Sequence, residues 1–198
     1  MNPKTDGRRE RSAGSRRRIV AATIVLVEEG HPSPTAEQIA VRAGVSLRTV
    51  FRHFEEMDRL YQEIAAEVFE WVLPHVEGPP PTGEWRDLIE QMVALRITLF
   101  EQIRPYKAAV DVHRHSSDAL SEQHRRMTEL YHGQMKLWIP EAVQRDGVAF
   151  ELVTLLLSIE TWQRLIEQQG LTPVGAADVM RRGVLDVVAP IMAAARTN

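Results

Sequence analysis

The stretch Thr35-Ala36-Glu37-Gln38-Ile39-Ala40-Val41-Arg42-Ala43-Gly44-Val45-Ser46-Leu47-Arg48-Thr49-Val50-Phe51-Arg52-His53-Phe54 decides the fold. Thr35, followed three residues later by Gln38, is a capping-box pattern that satisfies backbone N–H groups in a helix's first turn. Ile39, Ala40 and Ala43 give that short helix one apolar face. Gly44 can take the positive φ that ends a helix. Ser46 is an N-cap for the next helix only two residues on. From Leu47 to Phe54, Val50 and Phe54 fall on one face; Leu47, Arg48 and Arg52 lie away from it. Two short helices joined by Ala43-Gly44-Val45-Ser46 make a helix-turn-helix.

On the N-terminal side, Ile19, Val20, Ala22, Ile24 and Val27 recur near helical spacing until Gly30. His31-Pro32-Ser33-Pro34 is a stiff non-helical connector. Residues 1–14 hold almost nothing apolar and read as a disordered basic arm. On the C-terminal side, Glu55-Glu56 breaks the pattern, and a longer helix runs from Met57 to about Val76. Gly78-Pro79-Pro80-Pro81-Thr82-Gly83 is the main internal connector. Beyond it come a helix from Trp85 closed near Pro105, a shorter one to about His115, and one over Asp118 to Leu137. An apolar helix over 147–169 and a last one over 174–195 complete the chain. No sustained period-2 alternation and no repeat is present. The reading is all-α with eight or nine helices. Residues 1–14 form the arm, 15–56 a three-helix helix-turn-helix domain, and 57–198 a C-terminal helical domain.

The 198 residues are 44% apolar and 26% charged, enough to bury a core unaided. The chain has no Cys, which removes disulfides, thiolate nucleophiles and Cys-based metal sites. No run of about 18 apolar residues could span a membrane, and no apolar h-region follows the basic start. A soluble, cytoplasmic protein is expected. Residues 1–60 carry a net +3 and the rest a net −6, giving the −3 of the whole. A basic start on an acidic body suggests contact with a polyanion at one end; a solvated tail is the plain alternative. No G-x-S-x-G, H-E-x-x-H or Gly-rich phosphate loop is present, so no catalytic residue and no cofactor is expected. His113 and His115 diverge by about 200° on a helix, and His124 and His132 lie eight residues apart. No metal site is read from them.

The order of the quoted stretch, with a Thr-capped helix, an Ala-Gly-Val-Ser turn, then Thr49, Phe51, His53-Phe54 and Leu60, resembles the DNA-binding domain of TetR-family transcriptional regulators. The motif covers about residues 16–64. The resemblance implies DNA contacts from Thr35, Ser46, Leu47, Arg48, Thr49, Phe51, Arg52 and His53. Arg48 can pair with guanine O6/N7 or clamp a phosphate. A helix of eight residues is about 12 Å long, matching a major groove about 12 Å wide. Two positions depart from the family pattern: Met57 stands where Lys is frequent, and Phe51 where Tyr is. The arm from Arg8 to Arg18 is placed against the DNA backbone or minor groove.

The resemblance also implies a homodimer through the last two helices, about 148–166 and 174–192, and a repressor released from a pseudo-palindromic operator by a small-molecule effector. Leu155-Leu156-Leu157, apolar all round, suits a helix buried in its own core and against a partner. Candidate effector contacts are Trp71, Met92, Phe100, His113, Met127, Tyr131, Met135 and Trp162: large side chains with soft sulfur or polar tips. The effector is expected to be apolar or aromatic. The alternative is a helical small-molecule-binding or interaction scaffold with weakened DNA binding.

Overall fold

Thr35 caps its helix as its spacing from Gln38 requires: its hydroxyl accepts from the Gln38 amide at 3.3 Å, and Gln38 Oε1 accepts from the Thr35 amide at 2.8 Å. This geometry comes from a computed structural model, which describes residues 3–54 and 57–195, with side chains in the first helix described from residue 12. Among those residues every regular element is helical. In chain order they are α1 (Pro3–Glu28), α2 (Ala36–Ala43), α3 (Leu47–His53), α4 (Met57–Val76), α5 (Trp85–Arg114), α6 (Asp118–Trp138), α7 (Glu141–Arg145), α8 (Gly147–Leu156), α9 (Ile159–Gln163) and α10 (Pro173–Ala195). A π-helical turn, Arg164–Gln168, follows α9. The chain divides into two compact units: Met1–Trp71 with Pro105–Arg125, and Val72–Arg104 with Arg126–Asn198.

In the first unit the apolar faces of α1, α2 and α3 meet around Ile19, Ile39, Val50 and Phe54, all fully buried. Gly44 ends α2 at φ 62°. The Val45 amide then reaches back to the Ala40 carbonyl at 3.0 Å, and Ser46 accepts from the Thr49 amide at 3.2 Å to start α3. Leu60, Tyr61 and Ile64 of α4 join the same core, as do Tyr106, Ala109 and Leu120. Packing therefore does not respect the expected boundary at residue 56. A three-helix piece is too small to cover its own apolar faces. Polar contacts tie separate segments of this unit together: Arg16 with Glu63, Arg42 with Glu29, and the Tyr106 hydroxyl donating to Glu28.

The second unit buries Ile89, Met92, Val93 and Phe100 of α5 with Met135, Val153, Trp162, Met180, Val184 and Val188. Trp162 Nε1 donates to Glu101 at 2.8 Å, fixing α9 on α5. Gly183 lets α10 approach α8, since a Cβ there would lie 3.2 Å from Leu156 Cδ1.

Three expectations are corrected. The backbone of residues 3–14 is helical rather than a disordered arm; Arg8, Arg9, Glu10 and Arg11 favour helix, so the helix nucleated over 15–28 propagates backwards. The helix from Trp85 does not close at Pro105 but runs to Arg114. Proline removes one backbone donor, yet Leu99, Phe100 and Ile103 before it, and Tyr106 and Ala109 after it, are all buried. The apolar 147–169 segment is not one helix: Ser158 turns extended at φ −91°, ψ 154° and caps α9 by accepting from the Thr161 amide at 3.2 Å. Thr161 Oγ1 takes the Leu155 carbonyl at 2.6 Å. The expected break at Glu55-Glu56 lies outside the described residues.

The left-handed turn gives a direct test. Gly44→Ala loses no buried contact but forces a Cβ into positive φ, and should destabilise the protein by about 1–2 kcal/mol. Urea unfolding measures it; an unchanged midpoint would mean the turn relaxes without cost.

Candidate nucleic-acid interface

Seven residues make α3, and its two faces differ sharply. Val50 is fully buried within it, and Phe54 just beyond its end. Arg48, Phe51 and Arg52, spaced i, i+3 and i+4 and so neighbours on one helix face, are exposed. Phe51 is 48% exposed, so it is not a core residue. Leu47 and Thr49 are half-buried at the helix start. Thr49 Oγ1 lies 2.9 Å from Ser46 Oγ. Thr35 and Ser46 are exposed N-caps whose hydroxyls already accept one backbone N–H each; the remaining first-turn amides of α2 carry the positive end of the helix dipole.

His53 ends α3. Its Nε2 is out of solvent and without a partner. Burial, then the neighbouring charges of Arg52 and Arg16, hold its pKa below the ordinary 6.5. It is therefore a neutral imidazole near neutral pH.

The cations of this unit fall into two groups. Arg16 pairs with Glu63 while its guanidinium stacks 4.8 Å from the Phe54 ring centroid, and Arg42 pairs with Glu29. Arg16 thus belongs to the packing and leaves the expected DNA-contacting arm. Arg17, Arg18, Arg48, Arg52 and Arg59 are exposed, and among the described residues none has a carboxylate within ion-pair reach. The side chains of Lys4, Arg8, Arg9 and Arg11 lie outside the described residues. Met57 packs half-buried against the first unit's core, consistent with an apolar residue at that position.

The eight candidate effector contacts divide between the units. In the first, Trp71 is 47% exposed and meets Tyr106 edge-on at 5.4 Å. His113 stacks on Tyr61 at 3.7 Å with its Nε2 unpartnered, and burial lowers its pKa. In the second, Met92, Phe100, Met135 and Trp162 are fully buried, and Met127 and Tyr131 half-buried. A groove of about 350 Å³ in that unit is lined by Glu84, Trp85, Arg86, Ala189, Met192 and Ala193. None of the eight lines it.

The residue that sequence reasoning missed is Arg96. It is 4% exposed on α5, donates from Nη2 to Gln134 Oε1 at 2.7 Å and toward Met135 Sδ at 3.4 Å, and lies 4.5 Å from the Tyr131 ring centroid. Its signal was present: it stands four residues after Met92 and four before Phe100, inside the apolar face of α5.

Residues 19–64 match the family model described as bacterial regulatory proteins, tetR family. No curated protein matches the chain. The matched span runs from the start of the buried face of α1 through Ile64 of α4.

A phosphate beside His53 would favour the imidazolium. Protein stability should fall as pH drops through the ordinary value of 6.5, because the unfolded chain then binds a proton that folded His53 resists. DNA affinity should instead rise over the same range, because the complex takes up that proton. NMR titration of the imidazole with and without duplex checks both; a DNA-independent pKa removes His53 from the contact.

Proposed function

We propose how this chain, a DNA-binding transcriptional regulator by its tetR-family N-terminal domain, carries out its work: two copies bind a pseudo-palindromic operator and repress, and a small-molecule effector held by the second unit releases them. The observation that carries the DNA half is the outward face of α3, where Arg48, Phe51 and Arg52 stand exposed while Val50 and Phe54 lock the helix in place. An exposed arginine pair without acidic partners among the described residues suits phosphate clamping or bidentate reading of guanine. Leu47 at the helix start offers apolar contact to a thymine methyl. Thr35, Ser46, Thr49 and His53 are assigned to the phosphate backbone. The protein is assigned to the cytoplasm and not to catalysis; no helix among the described residues is long and apolar enough to cross a membrane.

The dimer half rests on α8 and α10. Val148, Leu152 and Leu155 of α8, spaced i, i+4 and i+7, are 72%, 43% and 60% exposed, and Val174 and Val179 of α10 are exposed too. A stripe of that kind is covered by a partner in a stable protein, and a second copy supplies the same stripe by two-fold symmetry. Leu156, whose methyls meet Gly183 within one copy, serves the fold and not the proposed interface. Two recognition helices would then stand about 34–36 Å apart, one turn of DNA.

Selection of duplex DNA from a random pool at fixed salt tests the reading: an enriched inverted repeat is expected, and no enrichment from folded dimer would sink it. On the selected site Arg48→Ala should cost about 1–3 kcal/mol and relax one base position; an equal loss on random DNA would make Arg48 a phosphate clamp. Leu155→Glu should yield a folded monomer by light scattering, and an intact dimer would move the interface elsewhere.

A further inference from the structure

Arg96 is a buried charge of the second unit that meets no opposite charge among the described residues. The guanidinium is almost wholly buried, and burying a cation without an opposite charge is costly. Its partners are neutral: a Gln134 amide oxygen, a Met135 thioether and the face of Tyr131. Gln134 is committed on its other side, donating to the His75 and Val76 carbonyls at 2.7 and 2.9 Å. It therefore holds the guanidinium in place without neutralising it. Nε and Nη1 have no acceptor among the described residues. Burial lowers the Arg96 pKa only to about 10, so the charge persists at pH 7.

Two further buried hydroxyls of this unit lack a partner, Tyr131 Oη and Thr154 Oγ1. Arg96 and Tyr131, whose ring the guanidinium faces, offer N–H and O–H groups. What complements them is an acceptor carrying negative charge.

We propose that Arg96 anchors an anion site inside the second unit, and that the site takes the carboxylate of a small organic acid. This deepens the effector half of the reading above and rests on it. One guanidinium balances one negative charge, and Glu160, whose carboxylate acts on Tyr131, disfavours a dianion such as phosphate. Fully buried Met92 and Phe100, one turn to either side of Arg96 on α5, and the thioether of Met135 suit an apolar body behind the carboxylate. Tyr131 and Met135, chosen from sequence as effector contacts, are the residues that touch the cation. The effector is thus an amphipathic acid instead of a purely apolar or aromatic molecule.

The test uses the full chain at fixed ionic strength. Formate, acetate, benzoate and octanoate are the probes, and benzamide is the neutral control for benzoate. At tenfold excess over its dissociation constant a binding acid should raise the unfolding midpoint by about 3–6 °C, and benzamide should not. Arg96→Gln should abolish the shift. Tyr131→Phe should keep the fold and weaken binding about threefold to tenfold. Equal shifts by benzoate and benzamide, retained binding in Arg96→Gln, or no shift from any of the four acids overturns the proposal. Should Arg96→Gln fail to fold, unchanged affinity in Tyr131→Phe overturns it. Binding of the same samples to a selected duplex separates the two readings. Acid binding through Arg96 without specific DNA binding leaves the site and removes the regulator. Specific DNA binding with no acid response does the reverse.

Discussion

The outward face of α3 depends on how two apolar side chains are buried. A helix of seven residues is far below the length that holds itself together in water, so α3 exists because Val50 and Phe54 are anchored in the core of the first unit. That anchoring also fixes its rotation. With those two side chains at zero exposure, Arg48, Phe51 and Arg52 have nowhere to go but outward. Gly44 and the Ser46 cap set the angle at which α3 leaves α2. Arg16 then covers the Phe54 ring while Glu63 of α4 holds the guanidinium. The pose of the reading face is thereby tied to α1 and α4, and a change in core packing would be felt at the surface.

Features carried by neighbouring residues were legible in the sequence, and features that depend on distant ones were not. Thr35 with Gln38, Gly44 and Ser46 act within one turn of themselves, and the structure places them as their spacing dictates. The limits of α4, α6 and α10 follow from apolar periodicity and its flanking breakers. Pro105 misled because its local cost is offset by burial on both sides, which no local rule sees. Ser158 was passed over inside a run of apolar residues, where its capping of Thr161 competes with helix continuation. Arg96 was passed over because its partner Gln134 lies 38 residues away. Its register on α5, one turn from Met92 and from Phe100, nonetheless places it among buried residues.

Two buried polar groups, one in each unit, are met in opposite ways. In the first, the Tyr106 hydroxyl meets the carboxylate of Glu28, and burial with that bond pushes the phenol pKa far above its usual range. The phenol stays a neutral donor to that carboxylate, and the pair is complete. In the second, Arg96 has a ring face, a thioether and an amide oxygen, and no charge opposite it. Neutral acceptors position a guanidinium but do not repay its desolvation. An unbalanced cation of this kind marks a place where function, more than stability, chose the residue.

Charge bookkeeping within the first unit sharpens what its basic character means. Counterion release on DNA counts only cations that neutralise phosphates. Arg16 and Arg42 already neutralise Glu63 and Glu29, and Glu63 lies outside residues 1–60, so the +3 of that segment overstates the charge free to meet phosphate. Arg48 and Arg52 on α3, Arg17 and Arg18 on α1, and Arg59 on α4 remain free of acidic partners among the described residues. A reading head built this way has a few well-placed cations against an acidic remainder of net −6. Under the proposed reading, few free cations shift the burden of affinity from bulk electrostatics toward shape and base contacts, the balance that favours discrimination between sites over tight binding to any DNA.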